Sequence, residues 1–176
     1  MENPAEGRPG APAVPHPSLN AMLICDLALQ EGATGKTSVV GVFEHISAHQ
    51  FPARCGFVFV YVKLTDAQGE YRFRLELVRL EDLAVIGRGA LGATFGDRMV
   101  PAELVFQIGG LAFERPGAYE FRLYANDRWV GSKILRVIQA PDPGPQLEQI
   151  RVFGSTVNVR WLNFMLPAPR IPADQP

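Results

Sequence analysis

The sequence predicts an all-β protein, an antiparallel β-sandwich of about seven or eight strands. Short runs rich in aromatic and β-branched residues recur along the chain, separated by turn-forming residues at intervals of roughly ten positions. Several runs alternate apolar and polar side chains, which is typical of a strand with one buried face. No long amphipathic helix pattern interrupts these runs. We therefore expect two sheets packed around one core.

The strongest strand pattern lies between residues 57 and 80. Residues 57–64 (FVFVYVKL) are almost continuously aromatic or β-branched, which indicates a buried strand. Residues 71–80 (YRFRLELVRL) alternate apolar and charged side chains at the start of a second strand. The polar segment between them contains Gly69, which can adopt a positive φ angle. We expect these two runs to pair as a hairpin.

The remaining strands are expected on either side of this hairpin. Gly41 should mark a bulge, or a close approach of another part of the chain, because it interrupts a β-branched run. The side chains that share one face of the first run are Leu23, Cys25, Leu27 and Leu29. The additional predicted strands are residues 21–29, 36–45, 102–108, 117–125 and 129–138. Residues 84–90 and 91–95 are two short runs interrupted by glycines, which suit kinked or edge strands.

Proline content divides the chain into three parts. Residues 1–20 contain five prolines and too little apolar surface to offset the entropy lost on ordering, so we expect a disordered arm. Residues 21–140 form the predicted β-sandwich domain. Residues 141–176 form a proline-rich linker followed by an apolar tail.

The apolar tail departs most from an ordinary globular terminus. Val157 and Val159 alternate with polar residues, which predicts a further strand. This strand has three possible neighbours: its own domain, another protein, or a membrane surface. The large side chains that we expect to contact a partner are Phe153, Trp161, Phe164 and Met165.

Charge and hydropathy exclude several classes of protein. A formal net charge of −1 supplies no basic field for nucleic acid. The sequence contains neither a secretory signal nor an apolar run long enough to span a bilayer, so we expect a cytoplasmic protein. In that compartment Cys25 and Cys55 should be reduced thiols. Nothing in the composition points to a cofactor.

Two short motifs resemble nucleotide and metal sites. Residues 32–37 (GATGKT) resemble a phosphate-binding loop, but Gln30 stands where the first glycine is required. The residues that follow are β-branched and favour a strand over the helix that such a loop must open, so a hairpin turn is favoured. His45 and His49 could share a metal ion on a helix, whereas an extended chain separates them by about 13 Å.

Cysteine and arginine side chains also have two interpretations each. Cys25 would need a histidine base to act as a nucleophile, and nothing places His45 or His49 beside it, so a buried structural thiol is favoured. Five arginines could form an anion-binding face, but acidic residues are interspersed and cross-strand ion pairs are favoured. These arginines are Arg72, Arg74, Arg79, Arg122 and Arg128.

A short Gly-x-Tyr pattern occurs in residues 116–121 (PGAYEF), just before the last predicted hairpin. The same pattern begins the penultimate strand of immunoglobulin-like domains, where the tyrosine hydroxyl bonds to the preceding loop as a tyrosine corner. We therefore expect an immunoglobulin-like sandwich in which Tyr119 anchors its loop. Phe121 occupies the position of the usual cysteine, so no intersheet disulfide is expected there.

Several motifs occur in the same order in an uncharacterised family. They are MLICD (22–26), TGK (34–36), GVF (41–43), FP (51–52), GEYRF (69–73) and GAYEFRLY (117–124). On this basis residues 21–137 resemble a family of small bacterial β-sandwich proteins of unknown function. The resemblance implies a compact β-sandwich and supplies no activity, ligand or catalytic residue.

The sequence contains no coherent set of catalytic residues. We therefore expect a non-catalytic protein-interaction or structural module that binds a protein partner or self-associates through its C-terminal tail. The alternative is a small-ligand-binding or metal-binding protein, or a minor enzyme, that uses Asp26, Lys36 and His45. A pocket lined by these three side chains would favour the alternative.

Overall fold

A computed structural model of the chain describes residues 14–141, 148–152 and 155–159. These residues form strands and turns and contain no helix, which confirms the predicted all-β class. The chain divides into two compact units, residues 1–140 and 141–176. Nine strands in two sheets make up the sandwich of the first unit.

The strands of the first unit follow one another with short connections. They are β1 (Ser18–Gln30), β2 (Thr37–Val42), β3 (His45–Ala48), β4 (Ala53–Thr65), β5 (Gly69–Arg79), β6 (Ala84–Phe95), β7 (Ala102–Phe113), β8 (Gly117–Ala125) and β9 (Arg128–Gln139). The four-stranded sheet has the order β2-β1-β4-β7, and the five-stranded sheet has the order β3-β9-β8-β5-β6. The second unit contains β10 (Glu148–Val152) and β11 (Ser155–Val159), which pair antiparallel.

The hairpin expected between residues 57 and 80 is not formed. β4 lies inside the four-stranded sheet between β1 and β7, and β5 lies inside the five-stranded sheet between β8 and β6. Both edges of each strand are therefore occupied by other strands. The connection passes from one sheet to the other, with Asp66 (φ 60°) and Gly69 (φ 100°) in the left-handed region.

Several strand boundaries, and the direction of one strand, also differ from the prediction. β1 begins at Ser18, three residues before the predicted start. β6 is one strand instead of two, because it pairs with β5 along its whole length. β7 continues through Gly109-Gly110 as it follows β4. β3 was not predicted, since four residues are too few for a periodic pattern, and it runs parallel to β9 in a sandwich expected to be antiparallel throughout.

The core lies between the inner faces of the two sheets. The alternation in β5 and β8 predicted the buried side chains there correctly, and on β1 the residues that enter the core are Met22 and Ile24, on the opposite face of the strand from Leu23 and Leu27. The pairing with β4 explains this, since Ile24 lies opposite the buried Val60. The fully buried side chains of largest volume include Tyr119, Phe73, Phe113, Phe121, Ile24 and Leu64.

Two tyrosine hydroxyls fix loops to this core. Tyr119 is 1% exposed and donates a hydrogen bond to the carbonyl oxygen of Arg115 at 2.8 Å, which confirms the predicted tyrosine corner. Its ring packs edge-on against Phe113, with the ring centroids 4.9 Å apart. The Tyr71 hydroxyl donates to the carbonyl oxygen of Pro15 at 2.8 Å. Part of the segment expected to be a disordered arm is therefore bound to the sandwich.

Candidate protein-interaction surface

The tail residues selected from the sequence, Phe153, Trp161, Phe164 and Met165, lie outside the described residues. The strand predicted from the alternation of Val157 and Val159 is present as β11. Its partner is β10, with Ile150 opposite Val157. Contact between the tail and a partner stays a prediction.

The structure does not bring Asp26, Lys36 and His45 together. Asp26 lies on β1, and Lys36 lies beyond the paired end of the β1–β2 hairpin, opposite Glu31. Five positions along this ladder separate Asp26 from Glu31, which corresponds to about 17 Å. His45 lies on β3, in the opposite sheet. The three residues of the alternative site predicted from the sequence therefore do not lie together.

The loop and the histidines that resembled nucleotide and metal sites form ordinary β-structure. Residues 32–37 form the turn between β1 and β2 and enter a strand, as the hairpin interpretation predicted. The Gly35 amide donates to the Glu31 carbonyl at 2.8 Å and closes this turn. His45 is extended in β3. Within the described part of the chain, no three His, Cys, Asp or Glu side chains are grouped to hold a metal ion.

The cysteines follow the structural interpretation favoured above, whereas most of the arginine ion pairs lie within one strand or between a strand and its turn, and Arg88–Glu76 is the pair that joins two strands. Cys25 and Cys55 are free thiols, and burial raises the pKa of both, which disfavours the thiolate that a nucleophile requires. The Glu76 carboxylate is 7% exposed and lies between the guanidinium groups of Arg74 and Arg88. The ion pairs formed by the arginines of the five-stranded sheet include Arg74–Glu76, Arg88–Glu76, Arg122–Glu120 and Arg79–Asp82.

The β1–β2 hairpin, defined here as residues 25–42, reaches beyond the body of its sheet. β1 pairs with β4 only up to Cys25 and with β2 from Cys25 to Gln30. The Thr37 hydroxyl donates to Oε2 of Glu103 on β7 at 2.5 Å. Because β7 lies on the opposite side of β4 from β1, the distal end of the hairpin must cross over β4.

The hydrogen bond from Thr37 also favours the charged form of the Glu103 carboxylate. It is the main reason that the pKa of Glu103 lies below its ordinary value, with further contributions from Tyr61 and Lys63. The Lys63 ammonium lies 3.3 Å from the Glu103 carboxylate. A charged acceptor strengthens the hydrogen bond that holds the hairpin in place.

The two faces of the hairpin differ in exposure. Ala28 is 8% exposed, and it pairs with the half-buried Val39 on one face. On the other face Leu29, Val40 and Val42 are 54%, 54% and 53% exposed. We call these three side chains the apolar hairpin face. It borders the outer edge of β2, which among the described residues pairs only with β1.

A glycine at the base of the hairpin permits a close approach, as predicted for Gly41. Its φ angle is 66°, in the left-handed region. A Cβ atom at this position would lie 2.2 Å from Oδ2 of Asp26 on the paired strand. Asp26 therefore occupies the space that a side chain at Gly41 would need.

Among known proteins, one family model matches the sandwich, and this match does not extend into the second unit. Residues 20–138 match the model of DUF6941, a family of unknown function. The chain belongs to this family. None of the curated proteins compared with the chain matches it. The DUF6941 match confirms the resemblance to an uncharacterised β-sandwich family, and it covers the whole apolar hairpin face.

A groove on the DUF6941 domain lies beside β9 and has a volume of about 570 Å³. It contains His45 without Asp26 or Lys36. Glu44 pairs with Lys133 at 2.6 Å, a contact that holds the pKa of Glu44 below its ordinary value. A carboxylate paired in this way is a weak base.

The described residues of the DUF6941 chain include no helix that is long and apolar enough to cross a membrane.

Proposed function

We propose that this DUF6941 domain is a non-catalytic protein-interaction module that binds an extended segment of a partner protein at the β1–β2 hairpin. The observation that supports the proposal is the apolar hairpin face beside a free strand edge. An added strand can form main-chain hydrogen bonds with the edge of β2, and its alternate side chains can pack against exposed apolar neighbours. We propose the cytoplasm as the compartment in which this binding takes place.

The size of the apolar hairpin face suits a short strand. Leu29, Val40 and Val42 each have about half of their surface left to cover. Full burial of such a side chain is worth roughly 1.5–3 kcal/mol, so completing it contributes about 1 kcal/mol for each. The bond between Thr37 and Glu103 holds the hairpin before binding, which reduces the entropy lost when the partner docks.

Self-association through the C-terminal tail is the second candidate. A two-stranded hairpin alone is marginally stable in water, so β10 and β11 are expected to gain stability from a further partner. The apolar side chains expected to supply the contact are Phe153, Trp161, Phe164 and Met165. Removal of residues 146–176 should then change the association state or the captured partners, and identical mass and partners would rule the tail out.

The hairpin proposal can be tested with a matched pair of substitutions in the full chain. Val40→Lys places a charge on the apolar hairpin face, whereas Val100→Lys places one at a valine in the turn between β6 and β7. These valines are 54% and 60% exposed, so neither change should affect folding. We expect affinity capture to recover a protein with wild type and Val100→Lys that is lost with Val40→Lys. Equal capture by all three proteins, or none by wild type, would contradict the proposal.

A further inference from the structure

The second exposed edge of interest is β6, the outer strand of the five-stranded sheet. It has 12 residues and is therefore about 40 Å long. Proteins usually protect long edges with charged side chains, proline, bulges or a covering segment. β6 contains one charged residue, Arg88, which pairs with Glu76 on the neighbouring strand β5 at 3.1 Å. The irregular pairing is confined to the start of the strand, so residues 87–95 form a regular edge that no other strand of the described residues pairs with.

The core beneath this edge is incompletely covered. Ile86, Leu91 and Phe95 on β6 pack against the core and remain partly exposed, as does Ile108 on β7. β7 is the edge of the opposite sheet and lies next to β6. Free backbone and partly exposed core side chains therefore meet on one side of the sandwich, which we call the β6–β7 side.

We infer that the β6–β7 side binds a second copy of this chain, with the two β6 strands paired antiparallel about a two-fold axis. Side chains on paired strands must share a face, so the axis has to pass through a residue and not between two residues. The middle of the regular edge puts this residue at Ala90 or Leu91. Arg88 then faces Gly92 or Thr94 of the other copy, so no like charges oppose each other.

The dimensions of the β6–β7 side fit a weak symmetric dimer. A strip about 40 Å long and about 10 Å deep, the spacing of packed sheets, covers roughly 400 Å² on each copy. The total for two copies is therefore about 800 Å², below the range of about 1,200–2,000 Å² found for stable interfaces. Association should therefore depend on concentration.

Two alanines provide a matched test of this dimer. Ala90 on β6 and Ala118 on the internal strand β8 are both exposed, and each pairs in register with an arginine, Arg74 and Arg136 respectively. A lysine at either position lies opposite an arginine, but only the one at Ala90 lies at or next to the two-fold axis. Ala90→Glu tests the same position with the opposite charge.

The measurement is sedimentation equilibrium of the full chain over a range of concentrations. Wild type and Ala118→Lys should approach twice the 19.3 kDa of the chain, whereas Ala90→Lys and Ala90→Glu should associate at least tenfold more weakly. Thermal unfolding of each variant checks that the monomer is folded. A wild type that stays monomeric at millimolar concentration would overturn the inference, and so would a dimer that tolerates both charges at Ala90. Neither result affects the hairpin proposal, which concerns a different edge.

Discussion

Replacing Gly41 by alanine should destabilise the domain more than the same change at Gly35. Both glycines have left-handed φ angles, 66° and 68°, so each substitution carries a backbone cost of about 1–2 kcal/mol. At Gly35 a new Cβ would meet no atom within 4 Å. At Gly41 it would lie 2.2 Å from Oδ2, 2.9 Å from Cγ and 3.1 Å from Cβ of Asp26.

The contact with Asp26 adds a second cost at Gly41 alone. Rotation of the Asp26 side chain can move its carboxylate away, but it leaves the Cβ atom in place, so the hairpin backbone must shift. Forcing a methyl group into occupied space typically costs 1–3 kcal/mol, which brings the total for Gly41→Ala to about 2–5 kcal/mol. The assay is urea denaturation of the full chain followed by circular dichroism. Equal losses for Gly35→Ala and Gly41→Ala would refute the reasoning.

Three further predictions concern the tyrosines and the second unit. Tyr119→Phe should lower the free energy of unfolding by about 1–2 kcal/mol, because the Arg115 carbonyl loses its partner; a loss no larger than that of Tyr124→Phe would contradict the tyrosine corner. Burial, with a hydrogen bond to a neighbouring carboxylate, raises the pKa of Tyr61 from 10.0 to about 12. The folded state therefore holds this proton more tightly than the unfolded state. The contribution of Tyr61 to the free energy of unfolding is fully present below pH 10 and is lost as the pH rises toward 12. Burial also raises the pKa of Tyr119. Tyrosinate absorbance should therefore show late ionisation to which Tyr61 contributes, and Tyr61→Phe should remove that contribution; a titration unchanged by that substitution would count against it. Removal of residues 146–176 should leave the melting transition of the sandwich in place, since the core lies within the first unit, and an unfolded product would disprove this.

The positions of most strands could be predicted because burial on one face leaves a period of two in the sequence. Tyr119, Phe121 and Leu123 alternate with polar residues, and all three are buried. Sheet membership could not be predicted in the same way. The polar segment that contains Gly69 suits a hairpin as well as a crossover, and only the neighbours of β4 and β5 decide between them.

The candidate surface was harder to find because β1 is apolar on both faces. Met22 and Ile24 enter the core, whereas Leu27 and Leu29 lie on the opposite face of the strand. Alternation shows which residues share a face, but it does not show which face another sheet will cover. The one local signal was Gly41, whose position in a β-branched run indicated the close approach at the base of the hairpin.

The route of the chain between the two sheets has a consequence for how the domain is assembled. From β1 to β9 the chain crosses from one sheet to the other five times. Neither sheet is therefore encoded by a continuous stretch of sequence, and neither can be completed during synthesis until most of the other has also emerged. The two layers should appear together in a single cooperative transition limited by distant contacts. For the same reason neither layer can be excised or exchanged between relatives as a separate piece.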